Sequence, residues 1–253
     1  MQSAQMEAGG MDISEREVRI RSSYISMAAV SGAHYRIARE YARLARCRVV
    51  FPDYRLAPEY PFPVPVEDCY QAYAWTVRNA EKLGIDSSRI VIAGDSTGGN
   101  LAAAVTIMAA ERGERLPAGS MLIYPVTDRR MESESMKRYT DTPVWNSRLS
   151  EMMWKAYLGP STVTDISHAS VMEAERLDFS PETYAEVAEF DCLHDEGAGF
   201  AQRLRREGVA VELHEEKGCC HGYEMALHRS IMRNAMERRI RYLTRIFSSA
   251  SQK

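Results

Sequence analysis

Residues 90–104 read IVIAGDSTGGNLAAA, and this stretch decides the fold. Its first four residues, three of them β-branched, predict a buried strand, and the small residues from Leu101 to Ala110 predict a helix. Between them stands G-x-S-x-G, in which a serine on a tight strand-to-helix turn projects its hydroxyl out of the backbone. Ser96 is therefore the candidate nucleophile, and the backbone N–H of Thr97, at the predicted helix start, suits a developing oxyanion. The alternative is an ordinary glycine-rich turn, because short motifs also occur by chance.

The bulk composition is that of a globular protein in a reducing compartment. The 253 residues can bury one large core, and 45% hydrophobic with 26% charged residues is ordinary for that class. A net charge of −3 gives no global basic field for nucleic acid or an anionic membrane. The five cysteines are scattered, and Cys219-Cys220 beside His221 favour a loop over a metal or redox site. No signal peptide or membrane-length apolar run is present, so we expect a cytoplasmic protein.

Strands and helices are predicted to alternate along most of the chain. Besides the pair within 90–110, the patterns predict strands at 47–51, 121–124, 184–190 and 209–214, and helices at 33–46, 66–83, 196–207 and 228–248. Such a rhythm predicts parallel strands joined by right-handed crossovers. Residues 17–21 are a candidate edge strand, and residues 1–16 are polar with little pattern.

The alternation stops between Thr127 and about Arg176. An insertion after a central strand usually lies over the carboxyl end of the sheet. This one carries aromatic and methionine side chains at roughly helical spacing, namely Trp145, Met152, Met153, Trp154 and Tyr157. Two interpretations stay open: these side chains line an apolar pocket, or they only pack the insertion onto the sheet.

A serine hydroxyl needs a base within hydrogen-bond reach and a group that orients the base. In doubly wound folds, such groups lie on the loops that follow the strands. Asp191 directly follows the strand predicted at 184–190, and His221 follows the strand predicted at 209–214. The order Ser96, Asp191, His221 is the order of an α/β-hydrolase sheet. We therefore predict His221 as the base and Asp191 as the orienting acid.

The competing residues have structural explanations. Five of the six histidines stand at positions less suited to a base, namely His34, His168, His194, His214 and His228. Asp195 competes with Asp191 as the acid. However, Asp195 and Glu196 precede a predicted helix, where acidic side chains cap free N–H groups.

These residues resemble the hormone-sensitive-lipase-like family of α/β-hydrolase carboxylesterases. Four motifs follow in the family's order: DYRLAPE with PFP at 53–63, GDSTGGN at 94–100, DCLHDEG at 191–197 and HGY at 221–223. The similarity extends from about Tyr24 to the C-terminus. It implies a single α/β-hydrolase domain over residues 1–253, with a mostly parallel central sheet and helices on both faces. A small helical cap is then contributed by about 1–16 and 127–176.

The resemblance also implies a function. Members hydrolyse short- to medium-chain carboxylic esters through an acyl-enzyme, with no metal or cofactor and often as homodimers. A small-molecule ester is then the substrate, and neither nucleic acid nor an integral membrane segment is involved. The alternative is a catalytically impaired α/β-hydrolase that acts as a small-molecule binding module. A peptidase or amide hydrolase with the same triad is a weaker third hypothesis.

One departure from the family favours the binding module. Members carry a His-Gly-Gly-Gly oxyanion loop just before the position of Tyr24, where this sequence reads RIRSSY at 19–24. Losing one oxyanion donor costs about 10²–10³ in turnover, and the loop would supply two. Some tens of residues with about two strands are missing between Ile20 and Tyr24 relative to the family. Either the sequence joins segments across an unrecorded stretch, or the protein lacks them; a true deletion would leave unpaired strand edges, which favours the first explanation.

Overall fold

A computed structural model describes residues 23–26, 32–160, 164–225 and 229–249. Within these ranges, six strands form one sheet in the order β2-β1-β3-β4-β5-β6. The strands are β1 (Ser23–Ser26), β2 (Arg48–Val50), β3 (Ile90–Asp95), β4 (Gly119–Ile123), β5 (Thr183–Ala188) and β6 (Val211–Glu216). All five pairings are parallel, which confirms the prediction from the alternating pattern.

Helices separate the strands in sequence and cover the sheet in space. They are α1 (Gly32–Leu44), α2 (Val64–Arg78), α3 (Thr97–Glu111), α4 (Glu134–Arg138), α5 (Ser147–Leu158), α6 (His194–Arg206) and α7 (Ser230–Ser249). One hydrophobic core contains residues of α2, α3, α6 and the insertion, and a second contains residues of α1 and α7. Helices therefore lie on both faces. None of the helices in the described ranges has the length and apolar character that a bilayer span requires.

The nucleophile strand β3 shows how the two cores arise. Its side chains alternate, with Ile90 and Ile92 in the first core and Val91 and Ala93 in the second. All four are fully buried, because successive side chains of a strand point to opposite faces and both faces are covered. This explains why the sequence reads as a continuous apolar run.

The boundaries of α3 and α2 differ from the predicted ones. α3 begins at Thr97 rather than Leu101, because the carbonyl of Ser96 already accepts the N–H of Gly99 at 3.0 Å. α2 begins at Val64, two residues earlier than predicted, since a proline in the first helical turn needs no N–H partner. It ends at Arg78 rather than Leu83, and turns continue the chain to Gly84, whose φ is +64°.

The strand β1 lies between β2 and β3, with Ser26 in register with Ala93. The described sheet is therefore continuous beside the nucleophile strand. Residues 1–16, predicted as part of the cap, and 17–21, predicted as an edge strand, lie outside the described residues, as do Ile20 to Ser22 of the predicted gap.

Candidate active site

The turn at Ser96 is strained, and its glycines allow it. Ser96 has a φ of 57° and a ψ of −123°, a conformation rarely adopted by residues other than glycine. A Cβ on Gly94 would lie 2.1 Å from the carbonyl oxygen of Gly98, and one on Gly99 would lie 2.8 Å from the Cβ of Pro125. Strand and helix can approach this closely only without those side chains, so the chain bends sharply and presents the serine at the end of β3.

The structure brings together the three side chains predicted as a triad. Nε2 of His221 lies 3.0 Å from Oγ of Ser96, and Nδ1 of His221 lies 2.7 Å from Oδ2 of Asp191. With its proton on Nδ1, the imidazole donates to Asp191, and Nε2 accepts the serine hydroxyl. The carboxylate is fully buried, and its Oδ1 accepts the N–H of Leu193 at 3.0 Å. In this arrangement the imidazole can accept the hydroxyl proton when the oxygen of Ser96 attacks a carbonyl carbon.

Backbone pairing beyond the strands brings the acid next to the histidine. Asp191 lies three residues after β5, and His221 lies five residues after β6. The N–H of Phe190 donates to the carbonyl of Cys219 at 2.8 Å, so the two loops stay paired after the strands end. Side chains that follow neighbouring parallel strands therefore meet at one sheet edge, as the sequence predicts.

The competing histidines bind other carboxylates. Those within the described residues pair as His34 with Asp95 (3.1 Å), His168 with Glu111 (2.7 Å), His194 with Asp195 (2.8 Å) and His214 with Glu212 (2.8 Å). The hydrogen bond to Asp95 raises the pKa of His34. His228 lies outside the described residues.

The expectation that Asp195 and Glu196 cap the following helix is wrong. The N-cap of α6 is Leu193, and both acids lie within the first turn of the helix instead of before it. Oδ2 of Asp195 accepts the N–H of Ser135 at 2.8 Å, and Oε1 of Glu196 accepts the N–H of Thr127 at 2.7 Å. Both acids therefore hold the insertion against the first turn of α6, which directly follows the turn that carries Asp191. Burial raises the pKa of Glu196 to about 8, because desolvation penalises its charged form.

Two aromatic rings contact the imidazole of His221. The ring centroid of Tyr124 lies 4.4 Å away, and that of Trp145 lies 5.8 Å away. The sequence analysis does not single out Tyr124, because the pattern predicts it as the last residue of the strand at 121–124, whereas β4 ends at Ile123. Trp145 is predicted to lie in the insertion, but the sequence does not predict that its ring contacts the histidine.

A cavity of about 230 Å³ opens beside Thr97, between the sheet edge and the insertion. Its wall is mostly apolar and comes from four segments, with Tyr54, Leu101, Val126, Met153, Trp154 and Tyr157 among its residues. Both interpretations of the insertion are thus partly right. Met153, Trp154 and Tyr157 line a pocket, whereas Met152 is exposed and Trp145 packs on the histidine.

The predicted oxyanion donor lies beside this cavity. Thr97 is the first residue of α3, so its N–H has no acceptor in the preceding helical turn. Further donors were predicted to be missing near Ile20 to Tyr24, and residues 20–22 lie outside the described ranges.

A parallel sheet with a sharp serine turn, followed by an acid and a histidine after later strands, defines an α/β hydrolase. A family model described as α/β hydrolase fold matches residues 25–225. The chain therefore belongs to this family, and its resemblance to the hormone-sensitive-lipase-like carboxylesterases is confirmed.

Relatives with named activities are similar over most of the chain. Carboxylesterase NlhH of Mycobacterium tuberculosis is 35% identical over 193 residues, which cover 75% of this chain and 60% of NlhH. Ethyl acetate hydrolase of Pseudomonas putida is 33% identical over 193 residues, which cover 76% of this chain and 60% of the relative. The solved structure of a bacterial heroin esterase is 31% identical with a TM-score of 0.85, covering 96% of this chain and 87% of that one. The chain thus spans about 60% of the length of these sequence relatives.

Proposed function

We propose that this protein is a serine carboxylesterase in which Ser96 is the nucleophile, His221 the general base and Asp191 the acid that orients the base. One observation carries the proposal: hydrogen bonds of 3.0 and 2.7 Å join the hydroxyl to the imidazole and the imidazole to the carboxylate. The names of the relatives, which include carboxylesterase and ethyl acetate hydrolase, supply the reaction class.

The arrangement supports an acyl-enzyme mechanism. Oγ of Ser96 attacks the ester carbonyl carbon while Nε2 of His221 takes the hydroxyl proton, and Asp191 stabilises the resulting imidazolium. The N–H of Thr97 binds the oxygen that becomes negative. When the tetrahedral intermediate collapses, His221 gives its proton to the leaving alcohol. Water then attacks the acyl-enzyme with His221 again as the base, which releases the carboxylic acid and restores Ser96.

The cavity supports a preference for short- to medium-chain acyl groups. An apolar protein cavity of about 150 Å³ is large enough to hold benzene. The cavity beside Thr97 is about 230 Å³, so it accommodates a somewhat larger apolar group. Initial rates on aryl esters from acetate to dodecanoate test this, and a rate that still rises at the longest chain would contradict it.

The binding-module alternative is not favoured, because the relatives reported above are named for ester hydrolysis. The strained Ser96 also supports catalysis, since unfavourable backbone conformations concentrate at functional sites. The cytoplasmic location and the homodimer stay predictions from the sequence.

The deciding experiment compares the wild type with Ser96→Ala on a short-chain aryl acetate. We expect a burst of aryl alcohol from the wild type. The variant should show no burst and a kcat lower by about 10⁴–10⁶, as for other nucleophile removals. Ser248→Ala, which changes an exposed serine near the end of α7, is the matched control and should keep full turnover. Unchanged turnover in Ser96→Ala would remove Ser96 from the mechanism.

A further inference from the structure

Trp145 contacts the proposed catalytic histidine although it takes no part in the chemistry described above. Its indole lies 5.8 Å from the imidazole of His221, with the ring planes inclined by 33°. The residue belongs to the insertion and not to the sheet that carries Ser96, Asp191 and His221. A residue that only anchored the insertion would not need to contact the base, so anchoring alone does not explain the position of Trp145.

The backbone before Trp145 adopts a strained turn. Val144 has a φ of 69°, and the N–H of Trp145 donates to the carbonyl of Pro143 at 2.8 Å. Together these features define the rare γ-turn with positive φ, which is unfavourable for a β-branched residue. Cγ1 of Val144 also lies 3.2 Å from the place where a Cβ on Gly222 would stand. The turn therefore presses Val144 and Trp145 against His221 and its neighbour.

Hydrogen bonds hold this turn and its indole in place. Oγ1 of Thr142 donates to the carbonyl of Trp145 at 2.7 Å, and Nε1 of Trp145 donates to Oγ of Ser150 at 2.9 Å. Ser150 is fully buried, and its Oγ lies 3.7 Å from Sγ of Cys192, the residue after Asp191. Trp145 is thus fixed at its backbone and at its ring nitrogen; its indole contacts the histidine directly and is linked through Ser150 to the turn that bears the acid.

We propose that Trp145 is a positioning residue that holds the imidazole of His221 in line with Ser96 and Asp191. The inference rests on the proposed function. Rotation of the imidazole about its side-chain bonds would break both of its hydrogen bonds, and the indole packs beside the ring with its centroid 5.8 Å from that of the imidazole. The position of the insertion and the alignment of the base are therefore coupled, because the side chain of Trp145 contributes to both.

Substitution with a conservative rescue tests the proposal. Trp145→Leu removes the aromatic face and the N–H, whereas Trp145→Phe keeps the face and removes only the N–H. We expect Trp145→Leu to lower kcat on a short-chain aryl acetate by about 10–100-fold with KM changed less than about threefold, because small displacements of catalytic groups cost rate rather than binding. Trp145→Phe should recover most of the loss. Trp75→Leu, a half-buried tryptophan on α2, is the matched control and should keep the wild-type kcat.

A second readout does not depend on turnover. The proton shared by Nδ1 of His221 and Asp191 gives a downfield NMR resonance, which should sharpen or broaden with the order of the ring. We expect a sharp resonance in the wild type and in Trp145→Phe, and a broadened one in Trp145→Leu. Wild-type kcat and resonance in Trp145→Leu, or a kcat loss that Trp145→Phe does not rescue, would overturn the proposal. If instead the wild type shows no turnover that depends on Ser96, the proposed function fails, and the resonance still decides whether Trp145 orders the ring.

Discussion

The nucleophile turn and the insertion reach the same imidazole by opposite means. The tightest contact of the turn is local, because it joins Gly94 to Gly98, four residues further along the chain. The insertion is held by hydrogen bonds between residues 57 to 69 apart, in which Ser135 binds Asp195 and Cys192 and Thr127 binds Glu196. A short motif can encode the first kind of contact, because sterics act locally. The second kind exists only once the sheet has formed.

Two acids that are four residues apart, Asp191 and Asp195, distinguish the two regions most clearly, and they carry the largest expected effect. Asp191→Asn should lower kcat by about 10⁴, because the amide no longer fixes the tautomer in which Nε2 of His221 is the base. Asp195→Asn keeps an oxygen acceptor for the N–H of Ser135, so it should leave kcat within about threefold and lower the free energy of unfolding by about 1 kcal/mol. Steady-state kinetics and urea unfolding of both variants measure this. Equal losses of kcat would show that the two carboxylates do not act separately.

Within the turn, the next largest effect is expected at Gly94. An alanine Cβ there would lie 2.1 Å from a backbone oxygen of Gly98, and backbone cannot yield as a flexible side chain does. We expect Gly94→Ala to lower the free energy of unfolding by about 3 kcal/mol, at the upper end of the usual cost of overpacking a core.

Gly199→Ala is the matched control for Gly94→Ala. Gly199 lies within α6, and a Cβ there would meet only Cε of Met172 at 3.6 Å, which is ordinary contact. Because alanine favours the helix more than glycine does, this variant should be more stable by about 0.5–1 kcal/mol. Midpoints of denaturant unfolding decide the comparison. If the free energy of unfolding of Gly94→Ala lay within 1 kcal/mol of that of the wild type, the nucleophile turn would be able to adapt and its glycines would not be sterically required.

The sequence predicts the site where chemistry and position coincide. The G-x-S-x-G turn requires its glycines for steric reasons, and residues that follow parallel strands must meet at one edge. Ser96, Asp191 and His221 could therefore be brought together from the sequence alone, as could the alternation of strands and helices from β2 onward outside the insertion. The strand β1 (Ser23–Ser26) was not predicted.

The contacts of the insertion could not be predicted in the same way. An acidic residue near a helix start has a local use as a cap, so nothing in the sequence pattern points to a distant partner for Asp195 or Glu196. The helical spacing places Trp145 on one face of a helix. In the structure the residue lies two positions before α5, in a turn whose strained backbone sets the direction of the ring. Propensity rules favour unstrained conformations, and for that reason they miss such turns.

The smallest expected effect is on the pH dependence of stability, and it comes from Glu196, which binds the insertion. Oε1 of this side chain accepts the N–H of Thr127, and Oε2 is buried with no partner among the described residues. Burial raises the pKa from 4.5 to about 8, so the folded protein keeps a proton that the unfolded chain has lost between these values. The free energy of unfolding should therefore fall as the pH rises through this window, and the contribution of the group is fully present only below pH 4.5.

Glu196→Gln keeps the oxygen acceptor but cannot ionise, so it should remove this slope. The free energy of unfolding of the variant minus that of the wild type should increase by about 2–3 kcal/mol from pH 5 to pH 7, which is about 1.4 kcal/mol for each unit of pH. Urea unfolding at several pH values measures the gap, and the exposed Glu81→Gln is the matched control, whose curve should run parallel to that of the wild type. A constant gap for Glu196→Gln would mean that the glutamate is charged in the folded protein. The insertion would then be held by an anion that accepts backbone N–H groups, and not by a neutral acid within the core.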